Sequence, residues 1–216
     1  MLDRDRIEKE KLEMLKKLYE DSFLELERAN IEEVSKNSNV NCITTSEGHK
    51  KILIPYLNRE ITIDIDNKNI YWSDTGKKID LHLAVITIHY LLGCTLRRGG
   101  IEWISYREIP GASFYSRTIP HTLNPLVEFF SEKLDKLVLA AQNLGGKEIS
   151  IGDKAVELKP FPNFPIAFVI YNADEEFPAS ANVLYDKSAK DVLSAEEVKL
   201  LTIFLITELI RVKDNT

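Results

Sequence analysis

Cysteine is nearly missing from this chain: two in 216 residues, Cys42 and Cys94, at no spacing that chelates a metal. That excludes a disulfide framework and a zinc module, and fits a reduced cytosolic setting. A long apolar run is also missing. The best stretch, Val198 to Ile210, is interrupted by Lys199, Thr202, Thr207 and Glu208, short of the ~20 residues a membrane span needs. The opening MLDRDRIEKEKLEML is charged where a secretion signal needs an apolar core. No basic stripe offsets the formal net charge of −6, and the tight basic clusters are no more than pairs, such as Lys16-Lys17, Lys50-Lys51 and Arg97-Arg98. A nucleic-acid partner and an anionic membrane surface are therefore not expected. Catalytic signatures are absent too: there is no phosphate loop, no Gly-x-Gly-x-x-Gly, no Gly-x-Ser-x-Gly and no His-Glu-x-x-His.

What is present, 44% hydrophobic and 29% charged residues, suits a folded cytoplasmic domain. Arg4 to Arg28 reads as an amphipathic helix with its stripe on Ile7, Met14, Leu15, Leu18, Phe23 and Leu26. Packing on the body is favoured for it over binding a partner. Residues 1–29 are thus expected as a helical extension, and 30–216 as one α+β domain. Asn37 to His49 has loop composition. Lys51 to Trp72 alternates like an antiparallel meander, with Ile52, Ile54 and Tyr56, then Ile61, Ile63 and Ile65, then Ile70 and Trp72; Thr62 and Asp64 suggest a wet second face. Leu81 to Leu92 is an apolar helix whose His82 and His89 lie seven residues apart, too far along the axis to share one metal directly. Both histidines read as packed, and Cys94 as a buried thiol.

Leu96 to Gly100 should turn into a strand over Ile101 to Ile109, stopped by Pro110-Gly111. Asn124-Pro125 has the form of a helix start, with Leu126, Phe130, Leu134, Leu137, Val138 and Ala141 as the buried stripe and Leu144-Gly145-Gly146 as the end. Lys147 to Leu158 reads as a hairpin turning at Gly152-Asp153. Ile166 to Tyr171 is a strand covered on both faces. Ser194 and Glu197 form a capping box for a final, almost wholly apolar helix that is central in the fold or forms a dimer face. Its end, Lys213 to Thr216, is expected to fray.

The stretch that invites a functional reading is the acidic turn Asp174, Glu175, Glu176 and Phe177 that ends the covered strand. Carboxylates there could ligate a hard cation, act as a base beside an apolar wall of Phe177, Tyr171 and Trp103, or simply be solvated or paired. Arg97, Arg98, Arg107 and Arg117 form a loose arginine group, and Arg107 is the natural partner of the turn. An internal Arg107–carboxylate pair is favoured over an anion-binding role, because an unpaired buried arginine is costly.

Several segments recur in order: His89-Tyr90-Leu91-Leu92, Gly100 to Glu108, Leu144-Gly145-Gly146, Gly152-Asp153, Asp174 to Pro178, and Leu184-Tyr185-Asp186. From about Asn30 to Ile210 the chain thereby resembles the domain of unknown function 3786 family of anaerobic bacteria and archaea. Some members of that family are described as iron–sulfur proteins and carry a four-cysteine module. Cys42 and Cys94 cannot supply it, since a cluster held by one chain needs about four ligands. The resemblance implies an accessory role near corrinoid or one-carbon metabolism, with a corrinoid or iron–sulfur protein as a partner class; it carries over no catalytic residue and no cofactor. The leading expectation is a ligand-binding domain with its pocket among Trp103, Arg107, Asp174, Glu175, Glu176 and Phe177. A hydrolase or lyase using an acid of the turn with Arg107, and a protein–protein module acting as a homodimer, are the alternatives.

Overall fold

The computed structural model describes residues 2–95 and 100–213. The expected Leu96–Gly99 part of the turn, with Arg97 and Arg98, lies outside the described residues, as does the Asp214–Thr216 end. The described residues form seven α-helices and nine strands in two antiparallel sheets, an α+β architecture. They divide into two compact units, Met1–Ile54 with Glu60–Leu96, and Pro55–Arg59 with Arg97–Thr216. Among the described residues no helix is long and apolar enough to cross a membrane.

The first unit holds α1 (Leu2–Arg28), α2 (Ile31–Ser38), a meander of β1 (Asn41–Thr44), β2 (Lys50–Tyr56), β3 (Arg59–Asp64) and β4 (Asn69–Trp72), and α3 (Leu81–Gly93). The expected isoleucine alternation is present: Ile52, Ile54, Ile61, Ile63 and Ile70 are buried. Two elements are additions to the sequence reading. Asn30 caps α2, its side chain accepting from the Glu33 N–H, and the polar segment after it supplies β1, which pairs with β2.

The second face of the meander is wet only in part: Lys51 and Leu53 are half-buried and Pro55 exposed, but the centre is covered. Asp64 and Thr62 are buried. Asp64 lies 3.4 Å from Lys51 Nζ and accepts from Asn67 N and Nδ2, while Thr62 meets Ser73 Oγ at 2.7 Å. On α1 only the last turns are covered. Phe23 and Leu26 are buried where the helix packs on α3, whereas Ile7, Met14 and Leu18 of the expected stripe are exposed, Met14 by 73%. His89 faces Ser22 Oγ at 2.8 Å, His82 is exposed, and Cys94 is buried.

The second unit is built on the sheet order β5-β9-β8-β7-β6, with β5 Trp103–Ser105, β6 Lys147–Ile149, β7 Lys154–Phe161, β8 Phe164–Tyr171 and β9 Ser180–Asp186. From Phe164 to Ile170 every side chain of β8 is buried, as its unbroken apolar run requires. The expected long strand from Ile101 is cut to three residues, followed by single 3-10 turns at Tyr106–Glu108, Ala112–Phe114 and Ser116–Thr118.

The next helix also departs from expectation. α4 (Ile119–Phe130) begins five residues before Asn124, with Pro120 in its first turn and Pro125 inside it; α5 (Leu134–Asn143) is a separate helix. Proline is tolerated where the backbone N–H has no helical partner in any case, and Pro120 fills that role. After the short α6 (Ala189–Val192), α7 (Ala195–Lys213) starts with the expected box: Glu197 accepts from Ser194 N and Oγ. Val198, Leu201, Leu205 and Leu209 of α7 are buried, and Thr202 Oγ1 lies 2.7 Å from the Tyr185 hydroxyl of β9. α4 packs on β9 and α7, and α5 on β6, β7 and α7.

Candidate functional site: a cleft beside the acidic turn

The link between β8 and β9 carries the acidic turn, and its three acids do different work. Asp174 Oδ1 accepts from Phe177 N at 2.7 Å and Glu176 N at 2.9 Å, while Asp174 N donates to Phe177 O. An aspartate that bonds backbone two and three residues onward builds the turn itself. The N–H groups of Phe177 and then Glu176 hold its carboxyl below the usual carboxylate range. Glu175 and Glu176 are exposed, and no ion pair joins either to another described residue. Phe177 is 66% exposed and Tyr171 38%, so neither builds an apolar wall over the glutamates.

Trp103 and Arg107 lie elsewhere along β9. The register pairs Tyr171 with Ser180 at the acidic end, and Trp103, Ile104 and Ser105 with Asp186, Tyr185 and Leu184 at the other. Six residues separate Ser180 from Asp186, roughly 20 Å of extended chain. The half-buried Trp103 is therefore remote from the turn. Arg107 sits in the 3-10 turn after β5, exposed, and is paired with no carboxylate among the described residues. The expected Arg107–turn ion pair is not made. An exposed guanidinium stays hydrated, so the desolvation argument for pairing it does not apply.

Lysines serve the carboxylates around β5 instead: Lys187 holds Glu102 at 2.9 Å and Lys190 approaches Glu108 at 3.9 Å. The Glu108 carboxyl is held low chiefly by the Ser105 N–H, which donates to it at 2.8 Å. Tyr106 donates to Ala195 O at 2.7 Å, and burial, with the charges of Tyr115 and Glu196, pushes its hydroxyl up to about 12. The Tyr106 bond ties the turn after β5 to the start of α7.

A concavity in this unit lies between α4 and the first residues of β9. It measures about 250 Å³ and is lined by Pro120, Leu123, Asn124, Val127 and Glu128 on one side and by Ala179, Ser180 and Ala181 on the other. The helical wall follows from spacing, since positions 120, 123, 124, 127 and 128 fall on one face of a 3.6-residue helix. The strand wall follows from size: Ala179 and Ala181, on one side of the alternating chain, leave room that larger side chains would fill. Pro178 and Phe177 lead directly into Ala179, so the acidic turn is contiguous with this wall.

Asn124, Glu128 and Ser180 are exposed, and their side chains are bonded to no other described residue. Sequence reasoning selected the turn but not the cleft. The signal available was the helical stripe from Pro120 together with Ala179-Ser180-Ala181. The cleft combines an apolar floor with the carboxylate of Glu128 and the amide of Asn124, a set suited to holding a ligand. It lacks the arginine that the hydrolase or lyase alternative requires, and no group of three metal-ligating side chains occurs among the described residues.

No curated protein and no solved structure matches the chain. A family model does match, over residues 30–208, more than four-fifths of the sequence. That span begins at the N-cap of α2, takes in both sheets and the cleft, and ends within α7. The chain accordingly belongs to the family described as domain of unknown function DUF3786.

Proposed function

We propose that this chain is a cytoplasmic ligand-binding accessory domain and that its ligand sits in the cleft between α4 and β9. The observation that carries the reading is the cleft's lining: a partly apolar hollow next to the acidic turn, with two polar side chains, Asn124 and Glu128, that serve no internal contact among the described residues. Binding sites combine apolar walls with a few convergent polar groups in this way. The proposed setting is the anaerobic corrinoid or one-carbon metabolism implied by the family resemblance. At about 250 Å³ the cleft lies below the roughly 300–1,000 Å³ of drug-sized sites. It suits a compact ligand or a single protruding group better than a whole tetrapyrrole. A partner carrying a corrinoid or iron–sulfur centre would then be engaged through such a group and not through the cofactor.

A fragment titration of isotope-labelled protein tests this. Saturable shifts in the amide signals of Val127, Glu128 and Ala179 to Ala181 are expected, and they should vanish in Asn124→Trp, where an indole from the exposed helix face fills the hollow. Fragments that bind only elsewhere, or bind Asn124→Trp equally well, overturn the reading.

A further inference from the structure

Resting on the cleft as a binding site, we propose that it takes a primary alkylammonium group: a short apolar stem ending in a protonated amine. Charge comes first. No cationic side chain of a described residue lines the cleft, and Glu128, which does, is paired with no other described residue. Glu175 and Glu176 stand in the turn that leads into the β9 wall, also unpaired, because Asp174 alone closes that turn. An anionic ligand would meet the Glu128 carboxylate with no lining counter-charge among the described residues, and the acids of the nearby turn add to the local negative field, whereas a cation is attracted.

Donor count comes next. An ammonium has three N–H donors and no acceptor. The helical wall of the cleft offers two acceptor groups one helical turn apart, the Glu128 carboxylate and the Asn124 carbonyl, which leaves the third N–H to water. The stem is provided for as well, since Pro120, Leu123 and Val127 give an apolar wall of the kind along which methylene chains lie. The same chemistry occurs in a free small amine and at the tip of a lysine side chain of a partner protein.

The test is an amide-signal titration at pH 7, where these amines are protonated, with n-butylamine, n-butanol, butyrate and Nα-acetyl-lysine N-methylamide. Expected are saturable shifts at Val127, Glu128 and Ala179 to Ala181 with n-butylamine, and binding at least about tenfold weaker for the neutral and anionic probes. Glu128→Gln, at an exposed position that leaves the fold intact, should weaken n-butylamine about tenfold, and Asn124→Ala by a smaller factor. Tighter binding of the lysine derivative would identify the source as a protein side chain, and tighter binding of n-butylamine a free amine. Equal binding of n-butanol and n-butylamine, or no effect of Glu128→Gln, overturns the cation assignment while leaving the cleft as a site for another ligand. Loss of every probe's shifts at the cleft overturns both.

Discussion

Asp64 shows at the scale of one residue how a carboxylate stays charged inside a sheet. Burial alone would raise its pKa, but the hydrogen bonds from Asn67 and the Lys51 ammonium outweigh burial, and the net shift is downward. A folded-state pKa below the unfolded value means that the native state binds fewer protons in acid. The stabilisation is therefore full above the unfolded value near 4 and is lost as pH falls through the lower folded value. Urea midpoints measured from pH 6 down to pH 3 should fall, and Asp64→Asn should flatten that profile. At pH 7, Asp64→Ala should cost about 1–3 kcal/mol by stranding the donors of Asn67 and Lys51. Asp174 carries a different expectation, because it is exposed and its role is the turn. In Asp174→Ala the Glu176 and Phe177 amides should exchange with solvent faster, while Glu175→Ala should leave both rates unchanged; equal rates in the two variants would contradict the assignment. Alternation along β3 identified the side on which Asp64 points. It could not reveal that Lys51 and Tyr71, joined at 3.3 Å, lie over that side, since those contacts cross strands.

Where α5 meets β6, two consecutive glycines do work that a composition count does not disclose. Gly145 has φ +80, the left-handed region that glycine enters without cost and that commonly ends a helix. Gly146 is needed for space: a Cβ there would lie 2.5 Å from Glu157 O and 3.0 Å from Ala141 O, both backbone atoms. Backbone on both sides cannot yield as a flexible side chain does. Gly146→Ala should thus cost about 3 kcal/mol, read as a lower denaturation midpoint, and Gly145→Ala should be milder, because its nearest neighbour would be at 3.8 Å. A smaller loss at Gly146 than at Gly145 would refute the packing argument. Elements with local signals were legible in the sequence: the Ser194 box, the β6–β7 hairpin and the buried run of β8. The start of α4 was misplaced because Asn124-Pro125 imitates an N-terminus, whereas Pro120 occupies the real one. Strand β1 was missed because Asn41 and Thr44 dilute a signal only four residues long.

At the scale of the whole molecule, the legible part of the site was the part encoded locally. Asp174 to Phe177 announces itself as four adjacent residues, but the cleft is made when a helix some fifty residues earlier packs on β9, and spacing carries no sign of such pairing. The likeness to the DUF3786 family was legible from ordered segments, and the family span begins at residue 30, leaving α1 outside it. That helix is divided by burial. Its residues 5–14 are exposed without exception, and the anchoring side chains Phe23 and Leu26 come only in the last two turns. Removing residues 1–17 should therefore shift stability by no more than about 0.5 kcal/mol, as for surface changes generally. Removing 1–29 strips two buried side chains, worth about 1.5–3 kcal/mol each, and takes Ser22 from His89. A loss of roughly 3–6 kcal/mol is expected, read by urea denaturation of both truncations against the full chain. If the shorter deletion proves as damaging as the longer, or moves the protein to a later elution volume in size-exclusion chromatography, the outer half of α1 is covered in solution by a second copy. The exposed Ile7, Met14 and Leu18 would then be the contact.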